Sequence, residues 1–342
     1  MKIAYILPSL ANKGPIIVAK DLVNVMSKHG HECFVFYFDD KNELHFQCPT
    51  QRIKMNTFID FNSYDIIHSH GIRPDTYVWL HKPQKCISLC VSTLHNFVFK
   101  DLSAQYNKFI SSVFGYLWMK ILNKHDRIIV LSNVALMYYC QWININKLYV
   151  AYNTRIIECD KALCDEEKQE ISLFKENSLI LGVNALLTPR KGVDLIIKAM
   201  PFLKDVKLWI VGEGKSKEQL KKMVKELGIE KRVYFAGYRK DAYRYLPYYD
   251  IYIMSSRSEG FPLSLLEACI FKKNIICSNI PIFKEIFSEK EVTFFEIDNV
   301  QSLVDAVKYT ILYDKSEHAY LKFEKKYSPE TFYCNHLNIY TQ

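Results

Sequence analysis

The chain alternates short apolar runs with longer helical stretches, and it does so twice. In the first half the apolar runs predict strands at Lys2–Leu7, Glu32–Phe38, Asp65–His68, Cys86–Leu94, Arg127–Leu131 and Lys147–Ala151. In the second half they predict strands at Leu179–Val183, Lys207–Val211, Arg232–Phe235, Asp250–Met254, Asn274–Cys277 and Val292–Phe295. Short apolar strands separated by helices are typical of a parallel sheet that helices cover on both faces. The sequence therefore predicts an α/β fold with two doubly wound, Rossmann-like halves.

The two halves are expected to be separate domains. The chain has 342 residues, which is enough for two domains of ordinary size. We expect the first domain at residues 1–154 and the second at residues 178–325. The polar segment 155–177 is expected to be a linker between them. Doubly wound sheets bind ligands beyond the carboxyl ends of their strands, so a central cleft between two facing halves is the expected site.

Composition limits the class of protein. Apolar residues make up 49% and charged residues 24% of the chain, as in a globular protein. No apolar run reaches the ~18 residues of a transmembrane helix, and the first residues indicate a strand rather than a signal peptide. None of the ten cysteines forms a Cys-x-x-Cys pair, which is typical of reduced core cysteines in a cytoplasmic protein.

The formal net charge of the chain is +8. Positive charge favours anionic ligands, which include an anionic substrate and an anionic membrane surface. The sequence has no block of Lys and Arg of the kind that binds nucleic acid. We therefore expect no DNA or RNA partner.

The segment Asp250–Ala268 is the most informative about chemistry. A short apolar strand is followed by the loop Ser255–Phe261 and then by a helix that is predicted to include Pro262 in its first turn. Glu259 precedes this helix, and Glu267 lies within it. The free N–H groups of a helix start attract phosphate, and carboxylates accept hydrogen bonds from sugar hydroxyls. Two carboxylates beside an anion site match a nucleotide sugar, in which a diphosphate joins two sugars.

The two glutamates, placed eight residues apart around Gly-Phe-Pro-Leu-Ser-Leu-Leu, resemble the E-x7-E signature of the retaining glycosyltransferases of family 4. The resemblance covers nearly the whole chain and is strongest from Leu179 to Ile286. It implies the GT-B architecture, in which two Rossmann-like domains face a central cleft. It also implies a C-terminal helix at residues 326–342 that crosses back to the first domain.

The resemblance assigns roles around the helix start. Glu267 would hold the ribose of the donor. The donor sugar and diphosphate would be held by Glu259 and by the residues that follow it, namely Gly260, Phe261, Pro262, Leu263 and Ser264.

The loop Leu187–Gly192 follows the first strand of the second half. In family 4 this loop supplies cations to the donor diphosphate, so the resemblance gives that role to Lys191 and to Arg190 beside it. Cations at a helix start oppose the helix dipole unless an anion is present, which favours anion binding over a solvated turn. Many members carry Gly-Arg where this chain has Asn184-Ala185. The arginine of that pair is therefore missing here. Either Arg190 replaces it as the second cation, or the diphosphate is held less tightly.

Two positions of the first half also match the family. His95 ends a predicted strand where family 4 carries a histidine near the donor sugar, which implies a catalytic role. Gly14 matches one residue of the usual Gly-Gly that lets the backbone approach the diphosphate or the acceptor. Pro15 takes the place of the other and removes an N–H donor.

The sequence favours a site without a metal. His68 and His70 could form a metal pair on one strand, but no third ligand is evident and we expect a strand-end role. Cys159 and Cys164 have no second pair nearby, and no Asp-x-Asp motif occurs. A metal-independent enzyme is therefore expected, in which protein groups neutralise the diphosphate. Its expected catalytic residues are His95, Glu259, Arg190 and Lys191.

With the family resemblance, these features predict a retaining glycosyltransferase in cell-surface polysaccharide biosynthesis. It would move a hexose or N-acetylhexosamine from a nucleotide sugar, a UDP-sugar rather than a GDP-sugar, to a saccharide or polyprenyl-linked saccharide. The nucleotide sugar is a substrate, and no cofactor is expected. One alternative is an inactive nucleotide-sugar-binding partner subunit, which the departures at Asn184 and Pro15 support. A nucleotide-sugar epimerase of the same fold fits the motifs less well.

The segment Leu102–Lys124 combines aromatic and aliphatic residues with interspersed lysines. This pattern suits an amphipathic surface for a membrane-borne acceptor, which would place the protein at the inner face of the cell membrane. It suits better a helix that is buried in the first domain, and we therefore expect a buried helix.

Overall fold

A computed structural model of the chain describes residues 1–105, 108–157 and 162–342. The described residues form two compact units. The first unit consists of Met1–Ile156 and Tyr327–Gln342, and the second consists of Ile157–Lys326. Cys159, which was considered above as half of a metal site, lies outside the described residues.

The first unit is built on parallel strands joined by helices. Its strands are β1 (Lys2–Leu10), β2 (Glu32–Asn42), β3 (Thr50–Arg52), β4 (Ile66–His70), β5 (Leu89–Leu94), β6 (Arg127–Val130) and β7 (Leu148–Val150). The helices between them are α1 (Gly14–Lys28), α2 (Ile72–His81), α3 (Val98–Gln105), α4 (Lys108–Leu122) and α5 (Asn133–Tyr139). The described strands lie in the order β3-β2-β1-β4-β5-β6-β7, and neighbouring strands are parallel. This is a doubly wound sheet in which the strand order reverses beside β1.

The central strand β1 explains the apolar character of the first predicted strand. Ile3 pairs with Cys33 of β2 on one side and with Ile66 of β4 on the other. Every residue from Ile3 to Leu7 is completely buried. A strand that is covered on both faces requires apolar residues at consecutive positions rather than at alternate ones.

The segment Leu102–Lys124, which was expected to form a buried helix, contains parts of two helices. α3 ends at Gln105 and α4 begins at Lys108. A Cβ added to Gly115 of α4 would lie 2.3 Å from Cε1 of Phe99 in α3. The missing side chain at Gly115 therefore allows the two helices to pack closely.

The second unit repeats the architecture. Its strands are β8 (Leu179–Asn184), β9 (Val206–Val211), β10 (Val233–Gly237), β11 (Ile251–Met254), β12 (Asn274–Ser278) and β13 (Thr293–Phe295). Its helices are α6 (Asp165–Lys175), α7 (Val193–Ala199), α8 (Lys217–Glu226), α9 (Leu263–Ile270), α10 (Pro281–Ile286), α11 (Val300–Leu312) and α12 (Ser316–Lys326). The described strands lie in the order β10-β9-β8-β11-β12-β13, and neighbouring strands are parallel. The α/β fold predicted from the alternation is therefore confirmed in both units.

The segment 155–177, which was predicted as a polar linker, contains the helix α6. Its residue Ile171 is buried, and Glu167 accepts a hydrogen bond of 2.8 Å from Tyr245 Oη. These contacts attach α6 to the second unit. The sequence pattern did not predict them because α6 has mostly charged residues and only a narrow buried face.

The last helix, α13 (Pro329–Thr341), belongs to the first unit. Ser328 caps it, with Oγ accepting a hydrogen bond of 3.3 Å from the backbone N–H of Thr331. Tyr333 stacks on His29, the residue directly after α1, with ring centroids 3.6 Å apart. Like the other helices in the described part of the chain, α13 is not both long and apolar enough to cross a membrane.

Candidate active site

The candidate site lies at the carboxyl ends of β8 and β11 in the second unit. These strands are parallel neighbours, so the segments that follow them lie at the same edge of the sheet. β8 has β9 on its other side, and β11 has β12, so the strand order reverses between them. Doubly wound sheets bind ligands at this point. We call the 3-10 turn Pro189–Lys191 after β8 the cation turn, and residues 255–262 after β11 the glutamate loop.

Glu259 joins the glutamate loop to the cation turn. Its Oε1 lies 2.6 Å from Lys191 Nζ, and its Oε2 lies 3.3 Å from Arg190 Nη1. Ser256 Oγ donates a further hydrogen bond of 2.6 Å to Oε1. Arg190 Nη1 also donates to the carbonyl of Ser258 at 2.8 Å. The structure thus brings together Glu259, Lys191 and Arg190, which the sequence analysis selected separately.

The carboxyl group of Glu259 is ionised although it is buried. Burial alone would raise its pKa, because it removes water from the charged form. The charges of Lys191 and Arg190, with hydrogen bonds from Lys191 and Ser256, outweigh burial and lower the pKa. Two cations therefore meet one carboxylate, and the cluster keeps an excess of positive charge that suits an anion.

Helix α9 begins next to this cluster. Pro262 was predicted in its first turn, but it lies at the N-cap position with φ −88° and ψ 86°, and Leu263 opens the helix. No side chain of the described residues caps α9, so its first N–H groups are not taken up by a capping side chain. Around this helix start Phe261 and Pro262 are buried, while Gly260, Leu263 and Ser264 are partly exposed.

Glu259 and Glu267 both lie near Tyr252 of β11, whose side chain is buried. Burial raises the pKa of Tyr252, a hydrogen bond with Ser264 opposes the rise, and the charges of Glu267 and Glu259 add to it. Glu267 is partly exposed on α9. Both carboxylates thus lie close enough to act on the same buried hydroxyl group. Sequence analysis missed Tyr252 because it lies within an apolar strand.

Asn184 replaces the glycine that is common in family 4, and it is used to hold the fold. Its Nδ2 donates to the carbonyl of Ala242 at 3.0 Å, and its Oδ1 accepts from Tyr249 Oη at 2.9 Å. Tyr249 in turn packs on Gly182, where an added Cβ would lie 1.9 Å from the ring. Asn184 and Ala185 therefore supply no cation at this end of β8.

Arg257 was not singled out by sequence analysis, although it lies within the glutamate loop. Its guanidinium forms two hydrogen bonds of 2.9 Å with the carboxylate of Asp194. The only signal in the sequence was its place between the strand and Glu259. Asp194 is too distant in sequence to be paired with Arg257 by any local pattern.

His95 follows β5 in the first unit and begins a row of imidazoles. Its Nε2 lies 2.9 Å from His70 Nδ1, and the ring of His70 stacks on His68 with centroids 4.4 Å apart. His68 is held by Tyr340 Oη at 2.6 Å and by Thr93 Oγ1 at 2.8 Å. Burial lowers the pKa of His95 to about 3, so the ring is neutral at pH 7.

His68 and His70 do not form a metal pair. Both ring nitrogens of His68 are hydrogen-bonded, to Tyr340 and to Thr93. Within the described residues, no group of three or more His, Cys, Asp or Glu side chains could hold a metal ion. The row of imidazoles instead connects the ends of β4 and β5 to α13.

Gly14 is the first residue of α1, a helix that has no side-chain cap among the described residues. Lys13 before it is exposed, and Pro15 occupies the first turn. Gly14 lies in the first unit together with His95. Glu259, Lys191, Arg190 and Glu267 all lie in the second unit.

Fold and site together define a GT-B glycosyltransferase. Residues 165–327 match the family of glycosyl transferases group 1, and residues 14–154 match Glycosyltransferase Family 4. The chain is 33% identical over 320 residues to the O-antigen biosynthesis glycosyltransferase WclY of Escherichia coli. The matched region covers 90% of this chain and 88% of WclY. The chain therefore belongs to the glycosyltransferases of family 4, and the predicted family membership is confirmed.

Two further comparisons agree with this assignment. The chain is 28% identical over 247 residues, 70% of its length and 64% of the other protein's, to N-acetylgalactosamine-N,N'-diacetylbacillosaminyl-diphospho-undecaprenol 4-alpha-N-acetylgalactosaminyltransferase of Campylobacter jejuni. The structure of the present chain superposes on that of HepE of Anabaena, which was solved in complex with UDP-glucose. The TM-score is 0.81 at 16% identity, and the match covers 100% of both chains. The superposition confirms the GT-B fold.

Proposed function

We propose that this chain is a retaining, metal-independent glycosyltransferase that transfers a hexose or N-acetylhexosamine from a UDP-sugar. The observation that carries the proposal is the cluster of Glu259, Lys191 and Arg190 beside the start of α9. Two cations and a helix N-terminus suit a diphosphate, whose negative charge grows as the glycosidic bond breaks. The UDP-glucose bound to HepE, a protein of the same fold, supports a uridine donor.

The proposed acceptor is a saccharide or a polyprenyl-linked saccharide in cell-surface polysaccharide biosynthesis. The name of WclY supports this pathway, since it describes a glycosyltransferase of O-antigen biosynthesis. The name of the Campylobacter jejuni relative supports the lipid part, since its acceptor is a diphospho-undecaprenol saccharide.

In the proposed reaction, the acceptor oxygen forms a bond to the anomeric carbon on the face from which UDP departs. The bond between that carbon and the phosphate oxygen breaks, and the acceptor proton moves to the departing phosphate. Lys191 and Arg190 stabilise the charge that develops on UDP. Retention itself is proposed from the resemblance to the retaining enzymes of family 4.

The other predicted residues hold the donor. Glu267 accepts hydrogen bonds from the ribose hydroxyls, and Glu259 accepts from the donor sugar. The backbone N–H groups of Gly260, Phe261, Leu263 and Ser264, beside Pro262, face the diphosphate. His95, as a neutral imidazole, exchanges a hydrogen bond with the donor sugar, and Gly14 lets the start of α1 approach the donor or the acceptor.

The test measures nucleotide binding first and transfer second. Thermal stabilisation by UDP, GDP, ADP, CDP and dTDP identifies the nucleotide, and UDP is expected to stabilise most. Transfer is then measured with UDP-sugars and a polyprenyl-linked saccharide, and proton NMR of the product gives its anomeric configuration. An inverted product would contradict retention. UDP binding without product on any acceptor would instead support the alternative of a binding subunit.

The surface of α4 supports a membrane-borne acceptor. We expected a buried helix here, and that expectation is wrong for one face of α4. Trp118 anchors the inner face, where its Nε1 donates to buried Asp75 at 2.8 Å. The outer face carries large apolar residues that are at least half exposed, namely Phe109, Val113, Phe114, Tyr116 and Leu117. The helix has no acidic residue, and Lys120 is exposed on it.

We propose that this face lies on an anionic membrane, where apolar side chains enter the interface and lysines attract lipid phosphates. Sedimentation with phosphatidylglycerol vesicles measures the contact, and phosphatidylcholine vesicles are the neutral comparison. The double variant F114S/L117S is expected to lose binding to the anionic vesicles. The matched double variant I311S/L312S, on the exposed end of α11, should bind normally. Equal binding of both variants would contradict the proposed surface.

A further inference from the structure

The cation turn is held by donors that come from the glutamate loop. The carbonyl of Pro189 accepts from Arg257 Nη1 at 2.6 Å, and the carbonyl of Arg190 accepts from the backbone N–H of Arg257 at 2.7 Å. The carbonyl of Lys191 accepts from Ser255 Oγ at 3.0 Å. Each carbonyl of the turn is thus bound by the opposite segment.

Arg257 contributes more than these two bonds. Its Nη1 and Nη2 each lie 2.9 Å from an oxygen of Asp194, in the first turn of α7, and its Nε donates to Asp298 at 2.8 Å. The three guanidinium nitrogens are therefore all bonded within the protein. Burial opposes ionisation of Asp194, but the hydrogen bonds and charge of Arg257 outweigh it and lower the pKa of this carboxyl group. Only a planar guanidinium can reach a carboxylate with two parallel bonds and a carbonyl at once.

Gly192 brings the two segments into direct contact. Its φ is +64°, and a Cβ at this position would lie 2.0 Å from the carbonyl oxygen of Ser255. The backbone at Gly192, directly after the cation turn, therefore leaves no room for a side chain beside the Ser255 carbonyl. We expect a shift of Arg257 to move the backbone of the cation turn, because Arg257 is hydrogen-bonded to the carbonyls of Pro189 and Arg190.

We propose that Arg257 is a positioning residue for the two cations, which it keeps in register with Glu259 and with the start of α9. The proposal rests on the proposed function, since Lys191 and Arg190 are the groups expected to meet the diphosphate. Arg257 itself does not touch the reacting atoms. It acts through the cation turn, and its partner Asp194 fixes the turn to α7.

The test compares Arg257→Gln and Arg257→Lys with a matched control. Arg232 also donates to two carbonyls, that of Met200 in a 3-10 turn at 2.9 Å and that of Leu203 directly after this turn at 2.6 Å, but it lies before β10, at the opposite end of the sheet. Arg232→Gln should therefore lower the melting temperature without changing catalysis. Arg257→Gln should lower kcat/KM for the donor by roughly 10- to 100-fold and weaken UDP binding, because a misplaced cation loses its contact with phosphate.

Two further readouts separate positioning from general stability. Arg257→Lys should recover little activity, because an ammonium cannot form the fork with Asp194. In the Lys191→Gln background, Arg257→Gln should have a much smaller effect on UDP binding, because the cation that it positions is already gone. Equal losses of UDP affinity in the Arg257 and Arg232 variants, or full additivity with Lys191→Gln, would overturn the proposal. A wild-type protein that neither binds UDP nor transfers sugar would instead refute the proposed function.

Discussion

The ammonium nitrogen of Lys191 lies 2.6 Å from Oε1 of Glu259, so the carboxylate of the neighbouring loop neutralises the cation that we propose to bind phosphate. Both side chains are largely buried, and a buried charge that loses its partner is costly. The salt bridge with Glu259 thus holds the Lys191 ammonium in place, and Arg190 remains as a second positive group.

The two members of this pair should respond in opposite ways to neutralisation. Lys191→Gln should weaken UDP binding by about 10-fold or more, the typical loss for a hydrogen bond to a charged group. Glu259→Gln should bind UDP at least as tightly as the wild type, because two cations are released, yet it should transfer sugar much more slowly. Calorimetric titration with UDP and a transfer assay measure both effects. Weaker UDP binding in Glu259→Gln would contradict this reasoning.

Glu267 should recognise the ribose. If its carboxylate accepts hydrogen bonds from the ribose hydroxyls, the wild type should prefer UDP over 2′-deoxy-UDP by about 10-fold, and Glu267→Gln should lose most of that preference. The measurement is the pair of dissociation constants for each protein. An unchanged preference in Glu267→Gln would assign ribose recognition to another group.

An alanine substitution should be more damaging at Gly192 than at Gly228. Both residues have a φ of +64°, but an added Cβ meets the Ser255 carbonyl only at Gly192 and meets nothing within 4 Å at Gly228. Gly228→Ala should cost about 1–2 kcal/mol of stability, the backbone penalty alone. Gly192→Ala should cost more and should also weaken UDP binding. Denaturant unfolding and UDP titration of both variants give the comparison, and similar losses in both would contradict the contact with Ser255.

The buried histidines of the first unit should make the protein acid-sensitive. Burial lowers the pKa of His68 and His70 well below the usual value, and that of His336 to about 4. The native state then binds fewer protons than the unfolded chain. The free energy of unfolding is therefore unaffected by these histidines above pH ~6.5 and decreases as the pH falls toward 4. His336→Gln should reduce the slope of the free energy of unfolding against pH by up to ~1.4 kcal/mol per pH unit. Urea unfolding at pH 7 and pH 5 measures the slope, and parallel profiles for the two proteins would contradict it.

Local sequence patterns predicted most of the strands, because a strand that is buried on both faces requires a run of consecutive apolar residues. The run Ile3–Leu7 is apolar at every position, and it is a central strand. The pattern failed at Leu102–Lys124, where apolar residues occupy an exposed face of α4 as well as a buried one. Composition cannot distinguish those two faces, because each contains the same types of residue.

The sequence by itself determined the α/β alternation and the family, because strand periodicity and the motifs around Glu259 and Lys191 are local. Only the tertiary structure decided that Lys191 and Glu259, 68 residues apart, share a salt bridge, and that Arg257 holds the cation turn through Asp194. The physical reason is the parallel pairing of β8 with β11. It brings two distant loops to one edge of the sheet, and only long-range packing sets which of their side chains come into contact.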